Sequence, residues 1–576
     1  MTLLLGLACY RAEDPACQPP KEVKVEAVVS PSNGVVITDS PWIPILIRTK
    51  RDRKAVQTCL DGRLLDTTPV MRSRANALGG RADVIDALDT EGLAPGPHRL
   101  DWKIDGQWFT SEFHYEPPPH TVHVRVQDSE GQPVQARVVL TQDGERFKVG
   151  TPDARAADPR ARDSTLASVF IDGERDLHLE AGTYRLLAMR GIRDSLDGAT
   201  VEVDGESSVT LTVDRVLEPF GTMAADLHMH TAESIDSFVG HGVRAASLLA
   251  SGLDAVVLTD HGRVTLPLEQ LVGLATMPGM EKSLKRDGKG WAHINAFPLA
   301  TLPDLPEGEE SVALLLQLED PPILQLNHPR GIHFKPDQPA HGDLTAFFAE
   351  KGLDPTVPVT LEEHPWLAQY EAVEVLNRFS FELYVATRAD WFALMNQGFF
   401  LTGTGNSDSH ATEVELAGLP CNLVACAEDD LDCLIEKVSA GEVSASTGPV
   451  VDLLVDDARP GQLISGQDVT VQVHLQAADW VLVDELRLIV NGQVVEIVPI
   501  GTFGTDSQHS FSLSLDRDSW ILAEAGWPLE LDVPQTTIER LGDYSLVAPG
   551  YVPVGFANPV RVDVDGDGVF TPPGLP

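Results

Sequence analysis

The sequence predicts a multidomain chain of mixed class, an α/β unit flanked by all-β domains. Three observations carry that prediction. Strand-like alternation fills residues 21–117 and 120–217. Helix-like stretches that each precede an apolar strand fill 221–450, and strand patterning returns over 451–562. At 576 residues the chain exceeds one core, and about 100–200 residues per domain allows three to five domains.

Residues 1–20 read as a signal remnant and linker. The apolar run before Cys9 is short and lacks a basic leader, so it is no spanning helix. Leu-Ala-Cys9 followed by a polar segment resembles the end of a bacterial lipoprotein signal. That reading predicts a secreted or cell-envelope protein, anchored by a lipid on Cys9. The alternative is an apolar start without meaning, which leaves a cytoplasmic location open. With export, Cys17 would pair with Cys59 and Cys426 with Cys433, leaving Cys421 buried; the alternative is six buried thiols.

The first β-sandwich is expected over 21–117. Val23–Val28 alternates, Pro95-Gly96-Pro97 marks a turn, and Pro117–Pro119 ends the unit. A second is expected over 120–217, where Val122, Val124 and Val126 share one face. Three helix-then-strand pairs follow: Val243–Ser251 with Ala255–Thr259, Val312–Leu318 with Ile323–Asn327, and Ala386–Gln397 with Phe399–Thr404. Such alternation predicts a parallel sheet, open or closed into a barrel. A third sandwich is expected over 451–562, with a hairpin turning at Asn491-Gly492.

The formal charge is −43, from 43 Lys and Arg against 86 Asp and Glu. Binding a phosphate backbone relies on clustered Lys and Arg, so nucleic acid and anionic lipid surfaces are excluded as partners. No segment has the roughly 18 continuous apolar residues of a membrane span.

Chemistry concentrates between Asp226 and His410. The clusters are Asp-Leu-His-Met-His (226–230), Asp236, Thr-Asp-His (259–261), Glu281, His293, His328-Pro329 and Ser-Asp-Ser-His (407–410). Side chains two apart on a strand share a face, so His228 and His230 can meet one ion, and Asp408 with His410 repeats the spacing. Imidazole and carboxylate without thiolate suit zinc, manganese or iron. Two or three such ions would supply hydroxide near neutral pH and polarise a phosphoryl or carbonyl oxygen. No nucleophile elbow, P-loop or dinucleotide fingerprint stands in a credible setting.

These residues resemble the PHP (polymerase and histidinol phosphatase) superfamily, marked by Asp-x-His-x-His, Thr-Asp-His, His-Pro and a final Ser-Asp-x-His. Glu371–Asn377 and Ser446-Thr447-Gly448-Pro449 are similar to the carbaryl hydrolase-like branch. The resemblance covers about 221–450 and implies a distorted (β/α)7 barrel with a di- or trinuclear centre. It implies one ion on His228, His230, Glu281 and Asp408, and a second on Asp236, His261 and His410. A third would use His293 and His328 with Glu281 bridging. Asp236 stands where many members have His.

Arg263, Arg330 and Arg378 each follow a motif residue; Arg263 and Arg330 are the expected phosphate clamps and catalytic candidates. Asp226 and Asp260 are expected to orient ligand histidines. Asp563, Asp565 and Asp567 match the first half of a calcium loop, but Gly574 stands where a bidentate Glu is expected, so a weak Ca²⁺ site and a plain turn are both open. The expected activity is metal-dependent hydrolysis of a phosphorylated ester. Carbamate or carboxyl ester hydrolysis is the first alternative, and a surface binding protein whose barrel is inert is the second.

Overall fold

The computed structural model describes residues 15–19, 28–38, 41–49, 56–67, 69–73, 82–147, 168–218, 223–268, 271–286, 289–330, 357–378, 381–413, 415–529 and 536–575. Cys9 lies outside them. Strand accounts for 48% of the structure and helix for 12%, in six helices among the described residues.

Two sheets form the first β-sandwich. One holds Val28–Ser30, Trp42–Thr49, Ala82–Asp89 and Val70–Ser73. The other holds Val35–Ile37, Gln107–Tyr115, Gly96–Ile104, Val56–Leu60 and Arg63–Leu64. Period-two alternation points Ile43, Ile45 and Ile47 inward against Leu100, Trp102 and Phe109. Asp105 and Gly106, both at positive φ, supply the two-residue turn whose twist matches its strands.

The second sandwich pairs His120–Gln127 with Glu174–Leu179 and Ser207–Thr212, over a sheet that includes Gln135–Gln142 and Gly182–Met189. Val122, Val124 and Val126 are buried together in its core.

The expected (β/α)7 barrel is not what the central residues form. Their strands divide between two mixed sheets. Met223–Met229, Ala255–Leu258 and Ala275–Pro278 run parallel, but Cys421–Val424 joins them antiparallel. In the other sheet, Met280–Arg286 and Lys289–Phe297 form an antiparallel hairpin, and Ile323–Leu326 is antiparallel to the latter. Only Ile323–Leu326, Ala372–Asn377 and Thr402–Asn406 run parallel there. A (β/α)7 barrel needs a crossover helix between successive parallel strands. Among the described residues from Ala275 to Phe297, strands follow one another without one. The predicted helix-then-strand pairs do form: His241–Leu249 precedes Ala255–Leu258, Glu310–Leu315 precedes Ile323–Leu326, and Phe381–Met395 precedes Thr402–Asn406.

The C-terminal strands continue the central sheet. Ser444–Ser446 pairs with Cys421–Val424 on one side and Val554–Ala557 on the other. Asp468–Val490 and Gln493–Ser514 form a long hairpin that turns at Asn491-Gly492, again both at positive φ. One hydrophobic core runs through the central and C-terminal strands.

Buried ion pairs lock these parts together. Glu524, fully buried, accepts from Tyr384 Oη at 2.7 Å, Arg388 Nε at 2.7 Å and an Arg487 guanidinium nitrogen at 2.8 Å. A buried charge is tolerated only when its lone pairs are so occupied. Arg193 of the second sandwich meets Asp254 Oδ2 at 2.6 Å.

Disulfides join Cys17 to Cys59 and Cys426 to Cys433, and Cys421 is buried as a thiol. Two disulfides suit an oxidising, extracellular or cell-surface setting. Among the described residues no helix is long and apolar enough to cross a membrane.

Candidate metal centre

The strand Met223–Met229 delivers His228 on its buried face, and His230 follows one residue past its end. Their Nε2 atoms lie 3.1 Å apart. Thr402–Asn406 runs into Asp408, whose N–H donates to His228 O at 2.9 Å and fixes it beside the pair. His261 is bridged by backbone to Glu281. His293 lies on Lys289–Phe297, opposite Ser283 of the hairpin partner, and His328 follows Ile323–Leu326.

All nine residues expected as ligands lie in this one cluster. Glu281 sits at its middle. Its Oε1 is 3.5 Å from His228 Nε2, 2.9 Å from His293 Nδ1 and 3.4 Å from His328 Nε2. Its Oε2 is 3.3 Å from His230 Nε2 and 3.0 Å from His261 Nδ1. Asp408 Oδ1 is 3.3 Å from His228 Nε2 and 3.2 Å from His230 Nε2. Asp236 Oδ2 is 3.1 Å from His261 Nε2 and 3.3 Å from His410 Nε2. Two atoms each bound about 2.1 Å from one tetrahedral ion are about 3.4 Å apart, and closer for octahedral geometry. The observed separations match the edges of a coordination polyhedron.

Hydrogen bonding gives an independent test of fit. His261 Nδ1, Glu281 Oε2, Asp408 Oδ1 and His410 Nε2 are buried and make no hydrogen bond. Buried polar atoms are nearly always satisfied, and four such atoms converging on one space are a set that a cation would satisfy. His328 at φ 28° and Asp408 at φ 46° are also in the left-handed region, and backbone strain of this kind collects at functional sites.

The electrostatics agree. Burial alone would raise the Glu281 carboxyl, but His261, His293 and His228 outweigh it and hold it well below the usual range. Burial likewise works against ionised Asp408, and Arg378, His228 and His410 overcome it. Asp236 is also held down, by His410 and His261 against its own desolvation. Burial pushes His293 down to about 4, only partly offset by Glu281, whereas the facing carboxylates raise His228, His261 and His410 against their own burial.

A buried polar layer supports the cluster. Asn327 Nδ2 donates to Glu281 Oε1 at 2.9 Å and to Asn295 Oδ1 at 2.8 Å. Gln325 Nε2 reaches Asn327 Oδ1 at 3.1 Å, and Thr404 Oγ1 donates to Gln325 Oε1 at 2.9 Å. Ser234 Oγ lies 3.1 Å from His230 Nδ1 and donates to Asp236 Oδ1 at 2.8 Å. The sequence reading passed over this layer. Its signal is polar residues two apart inside apolar strands, as in Gln325 with Asn327 and Thr404 with Asn406.

Glu281 is on the strand Met280–Arg286 and is 1% exposed. Two expectations need revising. Asp226 and Asp260 reach no ligand imidazole among their hydrogen bonds. Asp226 accepts the N–H groups of His228, Ser407 and Gly418, and its carboxyl is raised to about 6 by burial. Asp260 accepts from Thr231 N and Oγ1 and from Thr265 Oγ1. Both therefore tie loops together. Glu374 does meet a ligand imidazole, with Oε1 3.0 Å from His228 Nδ1.

The arginines are engaged by carboxylates. Arg263 donates to Glu233 Oε2 at 2.9 Å, and Arg330 meets Asp390 through two bonds of 2.5 and 2.6 Å. Arg378, passed over as a clamp, is the one in the cluster, with Nε 2.8 Å from Asp408 Oδ2 and another nitrogen 3.0 Å from Glu415 Oε1.

Near the C-terminus, Asp563 and Asp565 approach Asp518, which sequence spacing did not reveal; Asp567 is not in that group. Asp563 accepts Gly566 N–H at 2.7 Å and Gly568 N–H at 2.8 Å, Asp567 accepts Val569 N–H at 2.7 Å, and Asp518 accepts Val564 and Thr571 N–H groups.

No protein-family model and no curated protein matches this sequence. Among solved structures, similarity is found to the pilus 2b backbone protein of group B streptococcus. That match has 10% identity and a TM-score of 0.14, and covers 33% of this chain and 99% of that one. BcpA, the major pilin subunit of Bacillus cereus, matches at 11% identity and a TM-score of 0.14, over 32% of this chain and 68% of that one. A titin Ig tandem matches at 7% identity and a TM-score of 0.12, over 32% and 96%. Overlaps this weak transfer neither fold nor activity.

Proposed function

We propose that this chain is a metal-dependent hydrolase of the PHP type that acts on phosphoesters. One observation carries the reading: four buried, unbonded donor atoms on His261, Glu281, Asp408 and His410 converge within a cluster of imidazoles and carboxylates. His228, His230, Glu281 and Asp408 would hold one ion, and Asp236, His261 and His410 a second. His293 and His328 would complete a third against Glu281. Bound divalent ions there supply a Lewis acid and a source of hydroxide near neutral pH.

The chain's own residues divide the work. His228, His230, Glu281 and Asp408 are buried and form the floor, so they fix geometry. The Asp236 side chain is 43% exposed and His261, His293 and His410 are slightly exposed. Substrate therefore approaches over that rim. The carboxylates of Asp236, Glu281, Glu374, Asp408 and Glu415 face one guanidinium, Arg378. Were the imidazoles to bind metal in their neutral form, four negative charges would remain, which two divalent ions would neutralise and a third would turn positive, favouring an anionic ester.

A second reading rests on the arginines. Arg263 and Arg330, expected to clamp phosphate, each face a carboxylate instead, which favours a neutral carbamate or carboxyl ester. A panel of phosphomonoesters, phosphodiesters, aryl esters and carbamates decides between them. Turnover of phosphoesters, lost with chelator and restored by Mn²⁺ or Zn²⁺, supports the first. Turnover confined to neutral esters selects the second. Where phosphoesters and neutral esters are both turned over, Arg263→Ala and Arg330→Ala should raise KM chiefly for the phosphorylated ones if these arginines clamp phosphate, and an equal effect on neutral esters would make them structural.

The location reading proposed with this activity is a cell envelope, through a lipid on Cys9. It is supported by the Leu-Ala-Cys9 sequence and by two disulfides.

A further inference from the structure

We infer that Glu374 is the positioning residue of the centre, a single carboxylate that orients one ligand and holds the strained backbone of another. The inference rests on the metal reading proposed above. Glu374 lies on the strand Ala372–Asn377 and is 1% exposed. Its Oε1 is 3.0 Å from His228 Nδ1, and its Oε2 accepts the His328 N–H at 2.8 Å.

Two consequences follow from that geometry. With Glu374 Oε1 accepting at 3.0 Å, the proton is held on His228 Nδ1, which leaves Nε2 as the ring atom that would bind an ion. That Nε2 faces His230, Glu281 and Asp408, the floor of the cluster. His328 sits at φ 28°, a conformation disfavoured outside glycine. The bond from its N–H to Glu374 offsets part of that cost and keeps the imidazole 3.4 Å from Glu281. Asn406 Nδ2 donates to Oε1 at 3.1 Å and keeps the carboxylate from rotating away. Losing a carboxylate behind a ligand histidine lowers metal affinity about 10–100-fold.

Glu374→Gln tests this. The amide can offer its NH₂ to His228 Nδ1, which moves the imidazole proton to Nε2, where a cation must displace it. Zn²⁺ affinity by chelator competition and the visible spectrum of bound Co²⁺ would be measured on the full-length wild type, E374Q and E374D. Expected are a 10–100-fold weaker affinity and an altered Co²⁺ spectrum in E374Q, with partial recovery in E374D, which keeps the charge. A general structural role would not give recovery of the spectrum by charge alone. If E374Q does not fold, E374D must still weaken Zn²⁺ binding and change the spectrum. Wild-type affinity and spectrum in the folded variants overturn the role of Glu374. Failure of the wild type to bind Zn²⁺ or Co²⁺ overturns the metal reading itself.

Discussion

Among the described residues, two acidic groupings meet the distance requirement for sharing a cation, and they differ in where their lone pairs go. Around Glu281 and Asp408, donor atoms converge while four of them lack any hydrogen bond. Around Asp563, both carboxylate oxygens are taken by backbone N–H groups of the turn, and Asp518 is occupied in the same way. Proximity of carboxylates is thus a poor guide to metal. Unmet bonding capacity in a buried place is a better one, because folding would not leave it without compensation.

The largest effect should come from emptying the first grouping. His228→Ala combined with His230→Ala should lose at least one ion per chain by elemental analysis, because Asp408 and Glu281 alone cannot complete four-coordination. Hydrolysis should fall on the order of 10³-fold, the scale of several kcal/mol of lost charge stabilisation. Full metal content in that variant would break the contrast.

A buried carboxylate away from the cluster gives the next test. Asp86, in the first sandwich, accepts the Ala87 N–H at 2.9 Å, yet burial outweighs its hydrogen bonds from Ala87 and Thr67 and raises its carboxyl to about 6 from 3.8. With no ring of imidazoles to hold it down, it behaves oppositely to Glu281. Its folded pKa lies above its unfolded one, so its contribution is favourable at low pH and is lost as pH rises from about 4 through 6. Asp86→Asn should therefore stabilise the protein above pH 6, by up to about 3 kcal/mol, and make no difference near pH 3. Denaturant melts at pH 3.5 and 8 check this; equal effects at both would contradict it.

The smallest effect belongs to the second grouping. Millimolar Ca²⁺ should shift the melting temperature less than equimolar Mn²⁺ or Zn²⁺, since Asp563 already has partners. Asp563→Asn should lower the melting temperature to the same extent with and without Ca²⁺. A calcium-dependent difference would place an ion on that loop.

Much of the local structure was legible in the sequence because it depends on near neighbours. Alternation placed Val122, Val124 and Val126 in one core, Asn491-Gly492 specified a two-residue turn, and the i, i+2 spacing of His228 and His230 put them on one face. The closed barrel failed because strand order is set by long-range pairing. The hairpin from Met280 to Phe297 has no helical stretch within it, a gap that could have warned against a repeating strand-helix unit. The burial of Glu281 was not legible for the same reason, as it comes from pairing opposite Asn295. Glu374 and the Asn327 layer escaped notice because their partners lie 46 and more residues away, at His328, His228 and Glu281. Arg263 and Arg330 looked available only because Glu233 and Asp390 could not be seen beside them.

Elemental analysis of active, full-length protein purified without chelator tests the central claim most directly. The account predicts two or three zinc, manganese or iron ions per chain, with hydrolytic activity that tracks their removal and return. Active protein with no transition metal, or full activity after stripping, would contradict it.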